Sequence, residues 1–374
     1  MEDKKSGQTV TQQKKFIDES IQISQLFKVM ADHGASDLHL SVGSQPCLRI
    51  HGVMTKIKVG ILREEDTKRL IYQVLTDEQK QELEEKLELD FSFGVKGLSR
   101  FRANVFYAKG GLSASFRHLS SVISDFQALQ LPNTLLSFTH LSNGLVLCTG
   151  PTGSGKTTTL AAILDKINSE RTGHIVTLED PIEYIHEHRS CLVNQREVGK
   201  DSNSFASGLR SLLRQDPDFV MVGEMRDLET IEAALTVAET GHLVFGTLHT
   251  NSAIQTINRI ISVFPAEQQA QVRTVLSFVL QGVIAQQLIP KSFGGGRAIA
   301  LEVLIVTPAI RNLIRENKIH QIYSQMQVGQ ENTGMITMNQ SLAKLVKTGI
   351  IDKETVLAYS SEPEELAKML GIRF

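Results

Sequence analysis

The stretch GPTGSGKT, Gly150 to Thr157, decides the fold. It fits the spacing G-x-x-x-x-G-K-S/T. The apolar run GLVLCT leads into it, and TTTLAAILDKI follows with Leu160, Ile163, Leu164 and Ile167 at helical spacing. The pattern predicts a strand, a glycine-rich turn and a helix. Glycines let successive backbone N–H groups turn toward phosphate oxygens, and the helix N-terminus adds partial positive charge. Read so, Gly150, Pro151, Thr152, Gly153, Ser154, Gly155, Lys156, Thr157 and Thr158 line a phosphate site. Lys156 is expected to reach the β and γ phosphates, and the Thr157 hydroxyl to ligate Mg²⁺. ATP and Mg²⁺ are the expected ligands.

Further along, HIVTLED, FVMVGE and LVFGTLHT are also short apolar runs that end in polar residues, with helical segments between them. This alternation predicts an α/β domain on a mostly parallel sheet, with helices on both faces. In such sheets ligands gather at the carboxyl ends of the strands. LEDPIE offers Glu179, Asp180 and Glu183 there, and GEMRD offers Glu224 and Asp227. A lone loop carboxylate is ordinarily a solvated charge, but two acidic strand ends after one phosphate loop read as a site. A glutamate reaches one methylene further than an aspartate. Glu224 is therefore expected to act on Mg²⁺ through water, with Gly223 letting the backbone come close to the triphosphate. Glu183 is then free to orient or deprotonate the attacking water. In GHLVFGTLHTN, His242 precedes a strand and His249 follows it. Either imidazole, with His249 the stronger candidate, is expected to sense the γ phosphate by donating a hydrogen bond.

The whole chain sets bounds on these readings. Its 374 residues suffice for two domains with separate cores. Lys plus Arg number 39 and Asp plus Glu 41, so the net charge is −2 and no basic field points to nucleic acid. No apolar run approaches the ~20 residues of a membrane span, so no membrane insertion is expected. Cys47, Cys148 and Cys191 lie far apart, which argues against zinc and disulfides and for a reducing cytoplasm. Residues 1–15 are polar and read as a flexible tail. ISQLFKVMADHG predicts a helix with Ile23, Leu26, Phe27 and Met30 inward, stopped at Gly34. SDLHLSV and CLRIHGVMTKI read as strands, TDEQKQELEEKLELD as an acidic helix, and FSFGV, RFRANVFYA and LSASFRHL as three further strands. Together they predict a small α+β domain over 16–118. Residues 119–132 read as a linker and 133–374 as the α/β domain with a C-terminal helical part.

The boxes GPTGSGKT, LEDPIE, DPDFVMVGEMRD and GHLVFGTLHTN occur in one order that resembles the secretion-ATPase superfamily of RecA-like hexameric motors. GASDLHL and RFRANVF are similar to its PAS-like N-terminal domain, so the resemblance covers nearly the whole chain. AIRNLIRE, Ala309 to Glu316, resembles the signature of PilT-type pilus retraction ATPases, and HQIYSQMQVGQ and MNQSLAKLV point the same way. The resemblance implies a RecA-like P-loop domain behind a PAS-like α+β domain. It implies that Glu183 is the catalytic carboxylate, that Glu224 assists at Mg²⁺ and water, and that His249 and His242 read the γ phosphate. Arginines of the first domain are implied to reach the nucleotide. Strand alternation puts Arg100 and Arg102 opposite Phe101 and Ala103, and Arg117 opposite Phe116; Arg102 and Arg117 are the expected pair. The implied assembly is a homo-hexamer at the inner face of the cytoplasmic membrane. It would work on an inner-membrane pilus platform protein, with a paralogous retraction ATPase as a further partner. SAIQTINRIISVFP departs from the family in Gln255, Asn258 and Ser262, and the polar start is longer than usual. A pilus-extension or type II secretion ATPase is the alternative, against which stand AIRNLIRE and the missing four-cysteine element. A nucleotide-binding adaptor without turnover is the alternative of another class.

Overall fold

The computed structural model describes residues 16–50, 52–109, 111–119, 122–328 and 333–372. The expected tail, 1–15, lies outside them. The chain divides into two compact units at the Ser121/Val122 boundary.

The first unit is α+β. Helices α1 (Ile23–Asp32), α2 (Glu64–Tyr72) and α3 (Asp77–Lys86) accompany strands β1 (Asp37–Leu40), β2 (Cys47–Ile50), β3 (Val53–Lys56), β4 (Glu88–Val95), β5 (Ser99–Ala108) and β6 (Gly111–Leu119). The strands form one antiparallel sheet in the order β3-β2-β1-β6-β5-β4. Ile23, Leu26, Phe27 and Met30 are the buried face of α1, as their spacing predicts. Phe27 stacks on Phe101 with ring centroids 4.3 Å apart and meets Phe116 edge-on at 5.1 Å, so the helix is fixed to β5 and β6 by aromatic packing. The acidic helix starts at Thr76, whose hydroxyl caps Gln79 N, and ends at Leu87 in the left-handed region. The expected helical residues Glu88 to Asp90 therefore begin β4 instead.

The second unit holds seven strands: β7 (Gly144–Thr149), β8 (Gly173–Glu179), β9 (Cys191–Glu197), β10 (Phe219–Val222), β11 (Leu243–Leu248), β12 (Leu280–Pro290) and β13 (Arg297–Ile305). Their order is β13-β12-β7-β11-β10-β8-β9. All pairs are parallel except β12 with β13. Every residue of β7, β10 and β11 is buried. Alternate residues serve opposite layers: Leu145 and Leu147 join one core cluster, Val146 and Cys148 the other. Helices α4 (Lys156–Glu170), α5 (Phe205–Leu212), α6 (Leu228–Glu239), α7 (Ala253–Ser262), α8 (Gln269–Val279) and α9 (Pro308–Arg315) supply most of the covering side chains. Further helical segments follow at Ile322–Val328, Met338–Lys347 and Pro363–Leu370. Within the stretch expected as a linker, Leu131 is buried in a core cluster and Phe126 and Leu129 pack against it. Residues 126–131 therefore belong to the second unit, because their apolar side chains have a core to join.

Helix α9 carries the AIRNLIRE stretch. Ile310 and Ile314 are fully buried. Arg311 is not simply solvated: it donates to Ser277 O at 2.8 Å, Phe278 O at 2.6 Å and Gln281 Oε1 at 2.9 Å. A guanidinium here satisfies carbonyls left open at the C-terminus of α8.

Candidate active site

The phosphate loop joins β7 to α4, as the spacing predicts. Its shape is set by the neighbouring strand β12. A Cβ on Gly150, at φ +145°, would lie 2.2 Å from Gln286 O, and one on Gly155, at φ +88°, 2.8 Å from Gln286 Nε2. Gln286 is 1% exposed, accepts from Thr159 Oγ1 at 2.7 Å and donates to Ser154 O. One buried amide thus holds the loop and the first turn of α4 together. Sequence reasoning missed it; the available signal was a polar pair, Gln286 and Gln287, inside the apolar run GVIAQQLIP. Arg297 of β13 donates to Gly153 O at 3.2 Å.

Lys156 is 8% exposed, and its Nζ donates to Gly150 O at 2.8 Å and Pro151 O at 3.2 Å. Burial lowers its pKa, while the nearby Glu224 and Glu183 oppose the shift. The Ser154 hydroxyl oxygen is buried with no hydrogen-bond partner in the described residues. A turn of glycines around an ammonium group and an orphaned hydroxyl fits an incoming phosphate, which would satisfy both. Thr158 Oγ1 lies 2.9 Å from the Tyr184 hydroxyl, which ties α4 to the LEDPIE turn.

Beside this loop is a recess of about 60 Å³ lined by Thr157, Glu183 and Glu224, with Asp180, Gly223 and Thr247 at its walls. Glu224 Oε1 lies 2.7 Å from His249 Nε2 and accepts from Arg226 Nε. The tips of β10 and β11 therefore meet through a carboxylate–imidazole contact, and Glu224 and His249 form one unit. Two further carboxylates of these boxes, Asp227 and Glu179, hold structure. Asp227 caps α6, accepting from Thr230 N at 2.9 Å. Glu179 is 4% exposed and accepts from Thr177 Oγ1 at 2.6 Å and Gln195 Nε2 at 3.0 Å; burial pushes its pKa up.

One expectation gains a second reason and one is corrected. A Cβ on Gly223 would lie 3.1 Å from Leu178 O and 3.2 Å from Glu179 Cα. Close packing against the end of β8 calls for glycine there, at a position that also forms a wall of the recess. His242 does not join the site within the chain. It sits before β11, with Nδ1 3.0 Å from both Val237 O and Thr240 Oγ1, whereas the phosphate loop follows the other end of the paired strand β7. Six residues of strand separate the two edges by roughly 20 Å.

In the first unit, Arg102 and Arg117 lie on the exposed face of the sheet, as alternation predicts. Arg117 Nε pairs with Asp37 Oδ1 at 2.9 Å. Arg100 donates to Ser92 Oγ at 3.1 Å.

Comparison with known proteins agrees with this architecture. The type IV pilus retraction ATPase PilT of Pseudomonas aeruginosa is 51% identical over 91% of this chain and 99% of its own. The type IV pilus ATPase PilU of the same organism is 38% identical over 94% of this chain and 92% of its own. A crystal structure of the pilus retraction motor PilT with bound ADP matches with a TM-score of 0.88 and 52% identity, covering 93% of this chain and 100% of that one. The fold is thus RecA-like, with a preceding α+β domain. The family model described as type II/IV secretion system protein matches residues 11–357, and the chain belongs to that family.

Proposed function

We propose that the chain is an ATP-hydrolysing motor of type IV pilus retraction. The observation that carries the chemistry is the convergence of Lys156, Thr157, Glu183 and the Glu224–His249 pair on one edge of the parallel sheet. Similarity to PilT over almost the whole of both chains supports the biological output. Among the described residues no group of three His, Cys, Asp or Glu is placed to hold a metal ion. A Mg²⁺ here would be held by phosphate oxygens, water and the Thr157 hydroxyl, as that ion keeps several waters. It would neutralise phosphate charge during transfer.

In this reading the loop amides and Lys156 hold the triphosphate, and Lys156 leaves its carbonyl partners to do so. Glu183, half-buried at the recess, orients and deprotonates the attacking water. Glu224 keeps Oε2 for water on Mg²⁺, since Oε1 is occupied by His249 and Arg226. His249 then links Glu224 to the γ-phosphate state. Arg102 and Arg117 supply positive charge to the transferring phosphate. The working form is a homo-hexamer at the cytoplasmic face of the inner membrane, acting on the pilus platform protein beside a paralogous ATPase. No helix of the described residues is long and apolar enough to cross a membrane.

The test is Glu183→Gln. ATP binding should persist while turnover falls by about 10²–10⁴-fold, the share a positioned general base supplies. Wild-type-like hydrolysis would remove Glu183 from the mechanism. In a deletion strain, pilus retraction should be restored by the intact gene and not by this variant; retraction that persists without the gene would favour the adaptor reading.

A further inference from the structure

Register in the first unit's sheet sets four charged residues in one row: Arg49 of β2, Asp37 of β1, Arg117 of β6 and Arg102 of β5. Three cations and one carboxylate stand in that row. Arg102 and Arg117 are direct partners on neighbouring strands, an arrangement in which like charges repel. Asp37 does not serve both. It is 4% exposed and accepts from Arg117 Nε at 2.9 Å and Ser36 Oγ at 2.7 Å, with Arg49 Nε at 3.9 Å. The Arg117 side chain, by contrast, is 65% exposed. Only its Nε is engaged; its terminal nitrogens have no hydrogen-bond partner among the described residues. A guanidinium gripped at Nε has its plane and direction fixed while its two terminal amino groups remain open to a second, bidentate partner.

We propose that Asp37 is a positioning residue for Arg117. Its buried carboxylate removes the rotamer freedom of an exposed arginine and presents the open edge of the guanidinium to the charge that develops on the transferring phosphate. The arginine end of the pair is exposed, which weakens its contribution to folding; the effect proposed here is on the rate. The proposal rests on the reading of Arg117 given above, and the experiment separates the two.

ATP turnover is measured on the full chain for Asp37→Ala, Arg117→Ala and the double variant. Asp37→Ala should lower kcat about tenfold, as a misdirected catalytic group does, with KM for ATP changed less than about twofold. The double variant should be no slower than Arg117→Ala, within about twofold, because removing the aim of an absent side chain costs nothing. Asp37→Asn, which keeps an acceptor for Nε without the charge, should fall between wild type and Asp37→Ala; if Asp37→Ala does not fold by circular dichroism, Asp37→Asn carries the cycle. Wild-type kcat in the Asp37 variants, or a double variant slowed by the product of the single effects, overturns the proposal while leaving Arg117 in place. Wild-type turnover by Arg117→Ala removes Arg117 from the reaction and the role of Asp37 with it.

Discussion

The two sheets carry their polar groups in opposite ways. In the parallel sheet they sit just beyond strand ends, where Lys156, Glu183, Glu224 and His249 are placed by backbones in close contact. In the antiparallel sheet Arg49, Asp37, Arg117 and Arg102 sit on a face, placed by strand register alone. A strand-end site depends on what has no side chain: Gly150, Gly155 and Gly223 each leave space that a neighbour's backbone or buried amide fills. A face site depends only on which side chains stand opposite each other. The first should be intolerant of added atoms, and the second should absorb truncation of its exposed arginines with little cost to the fold.

Gly150→Ala gives the largest expected effect. The new methyl would overlap Gln286 O, and φ +145° is unfavourable to any residue with a Cβ. Strain and overpacking together should cost about 2–6 kcal/mol, taken from loop geometry and from stability. Thermal melting and nucleotide titration should both register it. A variant that binds ATP and melts like wild type would show that the loop is not shaped by crowding from β12.

Gln286→Ala probes the same corner by removal. Ser154 O and the Thr159 hydroxyl would lose their buried partner. The expected loss is about 1–3 kcal/mol of stability, the cost of leaving buried polar groups unpaired. Thermal melting should show it, and an unchanged midpoint would mean that water takes over the role of the amide.

The same contrast explains what the sequence disclosed. The phosphate loop was legible because strand, turn and helix are contiguous, and the four central strands because each is an unbroken apolar run. Helix α2 was missed because its sequence, EEDTKRLIY, is charged; it is fixed by Arg63 with Asp66, an ion pair and capping contact that its apolar spacing does not announce. Strand β9 alternates buried and exposed residues at the sheet edge, and β12 is interrupted by glutamines. Gln286 acts on residues far from it in the chain, so the local pattern marks a polar residue in an apolar run without telling what it holds. His242 was misplaced because closeness in sequence to His249 is not closeness in space when a strand runs between them. In the first unit, alternation gave the exposed face of Arg102 and Arg117, but not the pairing of Arg117 with Asp37, which is set by register between strands 80 residues apart.

The smallest effect on the fold is expected for Arg102→Ala, the counterpart of Gly150→Ala in the other sheet. The Arg102 side chain makes no hydrogen bond or ion pair among the described residues, and it stands directly across from Arg117. Its removal takes away no partner and relieves one like-charge contact, so stability should change by less than about 0.5 kcal/mol, with any shift upward. Thermal melting at low ionic strength is the sensitive measurement, because added salt screens the repulsion between exposed charges. A fall of more than about 1 kcal/mol would show that Arg102 is built into the sheet and not held on its surface, since exposed positions without buried partners rarely cost that much. An upward shift that fades as salt is added would identify the Arg102–Arg117 pair as repulsive in the absence of an anion. A face that keeps two cations together at such a cost is one whose charges are retained for binding rather than for folding.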